Sequence, residues 1–178
     1  MRLNYNEGQY IDYVYTLKGD TYNVGLDIKT VGIQQAVDVN SKKIMLNWET
    51  MLTQKEKNVS SERDKSTIYY QEIDGSIDHL SESKDDSENL KEKLNWIAFK
   101  QHFYSNILSS KDGFNNVEVA VNYSTTDSIV KLYKAKSELE FTGKDEQYSF
   151  NFFFGPNQYK TLQAEGNDYN KIINMGWG

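Results

Sequence analysis

The side chains best suited to acid–base or metal chemistry are few and scattered. His79 stands in a polar segment, "SIDHLS", and His102 in an aromatic one, "WIAFKQHFYSNIL". Neither shares a Glu-x-x-His or similar spacing with a second ligand, so neither reads as a metal ligand or general base. Acidic residues sit close together at Glu118 and at Glu138 with Glu140. Any acidic chain supplies such pairs, and without a pocket they carry no acid–base meaning. There is no Gly-x-Ser-x-Gly elbow and no glycine loop of the kind that cradles phosphate. Cysteine is absent, which excludes disulfides, thiolate metal sites and cysteine nucleophiles. These residues lead us to expect no catalysis, no metal and no cofactor.

Charge narrows the partners. With 26 acidic against 20 basic residues, the 178-residue chain carries a net charge of −6. Its lysines are dispersed and form no stripe, which argues against nucleic acid and disfavours an anionic membrane surface. No apolar run approaches the ~20 residues of a membrane span, and the opening Met1-Arg2-Leu3-Asn4 does not resemble a secretory signal. The length suits one domain with a real core.

The elements that would position any site read as strands. "GQYIDYVYTL" alternates, Lys18-Gly19-Asp20 turns, and "TYNVGLDIKTVGI" returns with Tyr22, Val24, Leu26 and Ile28 on one face, a hairpin. Lys42–Leu52, Ser66–Ile73 and the short "SIDHLS" are further strands, the last two parted by Asp74-Gly75. Leu94–Ser110 reads as one long aromatic strand, and "FNNVEVAVNYS" as the next, with Val117, Val119 and Val121 sharing a face. "SIVKLYKAKSELEF" and "EQYSFNFFF" complete roughly nine or ten strands without βαβ alternation, which predicts an antiparallel sandwich. Trp48 and Trp96 are expected as core anchors. Glu82–Glu92 carries charge throughout and reads as a mobile, solvated loop. Asn58-Val59-Ser60 and Asn122-Tyr123-Ser124 fit a glycosylation pattern, most simply by chance in an Asn-rich chain.

The tail changes character. Pro156 can occupy a first helical position and Gly166 can stop the helix, while a second short turn carries Tyr169, Ile172 and Ile173. Tyr159, Leu162, Ile172 and Ile173 are the side chains expected to dock this tail. Trp177, between two glycines, is of the type favoured at membrane–water interfaces. The reading divides the chain at 1–155, a β-sandwich, and 156–178, C-terminal helices and a junction.

Three blocks in order, "WIAFKQHFYSNIL", "FNFFFGPNQYKTL" and "IINMGWG", with the acidic "LSESKDDSENLKEK" ahead of the first, carry a resemblance. They resemble the periplasmic domain of the YidC family of membrane protein insertases. The resemblance implies a mainly β, supersandwich-like fold, present in part, with short C-terminal helices. It implies a fragment that ends just before a second transmembrane helix, at the periplasmic face of the bacterial inner membrane. It implies a non-catalytic accessory of a machine that inserts and folds inner-membrane proteins, with or without the Sec translocon. The implied partners are Sec subunits of the SecF kind, nascent membrane proteins and the rest of its own chain, with no nucleic acid. Pro156, Tyr159, Leu162, Ile172, Ile173 and Trp177 become the coupling tail. Because supersandwich folds also resemble galactose mutarotase, the alternative is a carbohydrate- or peptide-binding module. A cleft with His79 or His102 beside a carboxylate would favour it.

Overall fold

A computed structural model describes residues 1–37, 43–123 and 128–174. The strands are β1 (Arg2–Asn6), β2 (Gln9–Leu17), β3 (Asn23–Val31), β4 (Lys43–Thr53), β5 (Thr67–Glu72), β6 (Ile77–His79), β7 (Asp86–Leu90), β8 (Leu94–Lys100), β9 (Tyr104–Tyr123), β10 (Ile129–Glu140) and β11 (Gln147–Pro156). Two short helices, α1 (Val59–Asp64) and α2 (Tyr159–Glu165), and 3-10 turns at Ile33–Gln35 and Tyr169–Ile172 complete it. All pairings are antiparallel. The larger sheet runs β1-β2-β3-β11-β9-β8-β5-β6, and a second runs β4-β10-β9-β7. The mainly β sandwich expected from sequence is what the chain forms.

β9 belongs to both sheets. Its first half pairs with β8 and β11, its second with β10 and β7. Gly113 (φ 72°) and Asn116 (φ 46°) carry the crossing, since a left-handed residue bends a strand without ending it. The sequence reading therefore erred twice here. It ended a strand at Ser110, where the backbone continues, and it ran one strand through Gln101–Phe103, where β8 turns into β9. That turn is closed by Gln101 N–H donating to the Tyr104 carbonyl at 2.8 Å. Periodicity is blind to a turn whose residues are as aromatic as the strands beside it.

The acidic stretch is the second correction. Asp86–Leu90 is an edge strand that pairs with Val117–Val121 of β9, and it is not a solvated loop. Asp86, Glu88 and Leu90 are half-buried while Ser87 and Asn89 face water. Glu88 accepts from the buried Tyr70 hydroxyl, Asp86 from Ser81 N–H and Asp85 from Tyr123 N–H. Ladder bonds to β9 and these carboxylate contacts replace the apolar burial that the segment lacks.

The inner core lies between the sheets: Ile68, Tyr70, Ile97, Phe99, Leu108 and Phe150 from the larger one meet Val119, Val121, Tyr133 and Leu139 from the smaller. Trp96 is fully buried. Trp48 is half-buried and stacks on Phe99 with ring centroids 3.7 Å apart. Leu26 and Ile28 are buried as the hairpin pattern requires, whereas Tyr22 on the same stripe is exposed. Asn58, half of one glycosylation pattern, caps α1 by accepting from Ser61 N–H at 3.0 Å. Ser124 of the other lies outside the described residues.

Candidate functional site

Strands β5 and β8 are buried on both faces, together with the parts of β9 and β11 around Ile107 and Phe153. The face turned away from the sandwich presents Tyr69, Trp96, Ala98, Ile107 and Phe153, and the C-terminal tail lies on it. Leu162 from α2, with Tyr169 and Ile172 from the last 3-10 turn, is completely or almost completely buried there. Ile77 and Ile173 pack at the margin. Tyr169 meets Trp96 edge-on at 5.6 Å between centroids and Phe153 at 6.2 Å. The Trp96 indole N–H donates to the Asn167 carbonyl at 2.8 Å, which joins the middle of the sheet to the loop of the tail.

The chain reaches this position through residues that the Phe-Gly-Pro-Asn block supplies. A side chain at 155 would lie 2.3 Å from the Phe153 ring, so glycine is required there by space. Asn157 then fixes the exit. Its Nδ2 donates to the carbonyls of Gln101, His102 and Tyr104 at 2.6, 3.2 and 3.3 Å, and its Oδ1 accepts from Ser105 Oγ at 2.6 Å. One side chain thereby holds both the β8–β9 turn and the start of the tail. After α2, three consecutive residues with positive φ, Gly166 (75°), Asn167 (53°) and Asp168 (60°), reverse the chain so that Tyr169 and Ile172 face the sheet. Glycine, asparagine and aspartate are the types that take this conformation most readily. Asn23 donates to Glu165 at 2.7 Å and Gln71 to Asp168 at 3.3 Å, fastening both ends of the turn.

Two of the expected tail residues sit elsewhere. Pro156 is not a helix start. It is the last residue of β11, opposite Tyr104, and α2 begins at Tyr159 with Gln158 at the cap. The strand partner captures the Pro-Asn segment before a helix can form, and an edge position suits proline. Tyr159 is 38% exposed, on the solvent side of α2. Gly166 ends the helix as read from sequence. Trp177 lies outside the described residues.

A cavity of about 490 Å³ opens beside the tail, lined by Lys65, Glu82, Lys100, His102, Asn157 and Ile173 with Asn174. His102 is beside a carboxylate: its Nδ1 lies 2.6 Å from Glu56 Oε1, and its Nε2 lies 3.1 Å from Lys65 Nζ. An ammonium can only donate, so Nε2 accepts, Nδ1 carries the proton, and the ring is the neutral tautomer donating to Glu56. Behind it two lysines are buried. Burial lowers the pKa of both, that of Lys131 to about 8. Lys100 Nζ donates to the Lys65 carbonyl at 2.8 Å, and Lys131 Nζ to the carbonyls of Ser66 and Glu82. His79 is apart, its Nδ1 2.8 Å from the Leu80 carbonyl and its ring against Tyr69. Among the described residues no group of three or more His, Cys, Asp or Glu is placed to hold a metal. Nothing in the sequence announced Glu56 or Lys65 as partners of His102, because they are 46 and 37 residues away.

Among the described residues no helix is long and apolar enough to cross a membrane. A family model described as the YidC periplasmic domain matches residues 1–178. Proteins named membrane protein insertase YidC are similar to the chain in several bacteria. That of Parabacteroides distasonis is 32% identical over 100% of this chain and 30% of its own length. That of Phocaeicola vulgatus is 34% identical over 99% and 30%, and that of Porphyromonas gingivalis 28% identical over 92% and 27%. The chain thus spans about 30% of the length of the first of these relatives. A family model matched from end to end, with relatives above 30% identity over the whole chain, shows that the chain belongs to the YidC periplasmic domain family.

Proposed function

We propose that this domain is a non-catalytic module of a membrane protein insertase, coupled to the membrane part of its chain through the tail. In this reading residues 1–155 form the sandwich and 156–178 the helices and junction. The full-length protein is a multi-pass protein of the bacterial inner membrane, and the domain stands on its periplasmic face. The whole machine assists insertion and folding of nascent inner-membrane proteins, alone or with Sec subunits of the SecF kind. Transfer of an apolar segment into lipid is driven by the hydrophobic effect and needs no nucleophile.

The observation that carries the reading is the complete burial of Leu162 and Ile172 against the outer face of the sheet. A tether needs no such anchors. A docked tail passes the orientation and stiffness of the sheet to whatever follows it, and each buried anchor contributes roughly 1.5–3 kcal/mol to that docking. The arrangement that would favour the carbohydrate-handling alternative, a histidine beside a carboxylate at a cleft, is present at His102 and Glu56. We do not favour that alternative because His79 is apart and both His102 nitrogens are already engaged, by Glu56 and Lys65.

The test is depletion of the native insertase and complementation with the full-length protein. Leu162→Asp and Ile172→Asp are expected to impair growth and insertion while the proteins accumulate normally. Glu118→Ala, an exposed change on the sandwich, is expected to be tolerated. Normal insertion by both tail variants at normal levels refutes the coupling role.

A further inference from the structure

The end of the domain that carries the cavity also carries exposed aromatic residues. The β8–β9 turn places Phe103 and Tyr104 at its tip, 56% and 61% exposed. This tip is not loose: Asn157 holds it through three carbonyls, the His102 ring stacks on Phe103 at 4.0 Å, and Tyr104 is paired to Pro156. Apart from the His102 stack on Phe103, the two rings on this pinned turn face solvent. Directly beside them lie the ammonium groups of Lys65 and Lys100, against the single carboxylate of Glu82 among the groups lining the cavity. The Glu56 carboxylate is taken up by His102. A neutral His102 leaves the Glu56 charge in place, so two ammonium groups meet two carboxylates and this edge is locally balanced, where the whole chain carries −6. Ile173 and Asn174, the last described residues, line the same cavity.

We propose that this edge docks on the lipid bilayer: Phe103 and Tyr104 enter the headgroup layer and Lys65 receives lipid phosphate. Aromatic side chains favour the interface because an apolar ring can be sunk while a polar tip stays wet, and lysines beside them gain from phosphate oxygens. Lys65 is the mobile member, exposed and held only by the His102 nitrogen, so a phosphate can take its ammonium without unfolding anything. Lys100 is held in place by the Lys65 carbonyl and the Tyr69 ring, 5.6 Å from its centroid. The inference rests on the reading above that the domain stands on a membrane, and adds which edge meets it. The opposite end of β8, about 20 Å away at 3.3 Å per residue, carries no such pair of rings and faces away.

The experiment uses the full-length insertase without cysteines, reconstituted in nanodiscs of phosphatidylethanolamine and phosphatidylglycerol. An environment-sensitive fluorophore is attached at Gln101→Cys, Glu92→Cys or Asn174→Cys, and quenching by lipids brominated near the headgroup is recorded. Quenching at 101 is expected to be severalfold stronger than at 92, and to fall to the level at 92 when Phe103→Ser and Tyr104→Ser are combined. Lys65→Glu is expected to weaken it. Phe103, Tyr104 and Lys65 are exposed and Gln101 is half-buried, so each labelled variant is carried with its own unfolding midpoint, which should match the unsubstituted parent and exclude loss of fold as the cause. Equal quenching at 101 and 92, or no response to the aromatic variants, overturns the proposal. So does shielding of 101 that appears only when Sec subunits are added, which would make this edge a protein-binding one. Strong quenching at 174 with none at 101 would sink bilayer docking alone and leave the coupling role standing.

Discussion

The two faces of one sheet solve the same problem with unequal means. On the inner face, Ile68, Ile97, Phe99 and Leu108 meet a whole second sheet, and strands of both sheets contribute to closing it. On the outer face, Tyr69, Trp96, Ala98 and Ile107 are covered by a single peptide of which three side chains do the burying. The strands are the same and their residues simply alternate. An inner-face defect is therefore shared with the global fold, whereas an outer-face defect is confined to the tail. A domain built this way can be stable without its tail being docked, which is the property a coupling element requires.

The comparison breaks most visibly with Phe99→Ala. Phe99 is fully buried, stacked on Trp48 and edge-on to Tyr133 at 5.2 Å. Its truncation should cost about 3–5 kcal/mol of global stability. Denaturant unfolding followed by any probe of the sheet should register it, and a loss below 1 kcal/mol would mean that the two sheets do not share one core.

Leu162→Ala should remove about 2–4 kcal/mol, but locally. Amide exchange should lose protection in α2 and at Tyr169–Ile172 while β5 and β8 keep theirs. Uniform loss across the sheet would show that the outer layer is part of the same cooperative unit. Tyr159→Ser is the matched control on the exposed side of α2 and should stay within ~0.5 kcal/mol of the parent.

The smallest effect sharpens the boundary between the faces, where Lys131 is buried without a carboxylate in hydrogen-bond contact. Its pKa is pushed down by burial to about 8 from an ordinary value of 10.5. Between these values the unfolded chain binds more protons than the folded one, so stability rises with pH across that window. The burial penalty is in full force below pH 8. Buried tyrosines act oppositely above pH 10, since Tyr133 is raised well above its ordinary value by burial. The rise should thus be seen from about pH 8 to pH 9.5. Unfolding midpoints measured across that range should climb in the parent and climb less steeply in Lys131→Met, where Lys100, also lowered by burial, still contributes. A climb of equal slope in both would assign the effect to another group.

What could be read in advance follows a physical line. The β2–β3 hairpin, the valine stripe of β9 and the helix stop at Gly166 were legible because alternation and turn chemistry are local properties. The burial of Leu162 and Ile172 was legible too, as apolar residues in a polar tail have few other places to go. The strand in Asp86–Leu90 was not, because its stability comes from a neighbour's ladder and from Tyr70 and Tyr123, none of them adjacent in sequence. Pro156 was misplaced because the competing strand partner, Tyr104, is 52 residues away.

By itself, then, the sequence determined composition, charge, the β character and the family, since these depend on residue types and short spacings that the chain carries wherever it goes. Only the tertiary structure decided that β9 crosses from one sheet to the other, that Asn157 ties the β8–β9 turn to the tail, and that Lys65, His102 and Glu56 form one chain of contacts. Those outcomes depend on distances between segments far apart along the backbone. Such distances are set by how two sheets twist and close over a shared core, a property of the whole assembly that no window of residues contains.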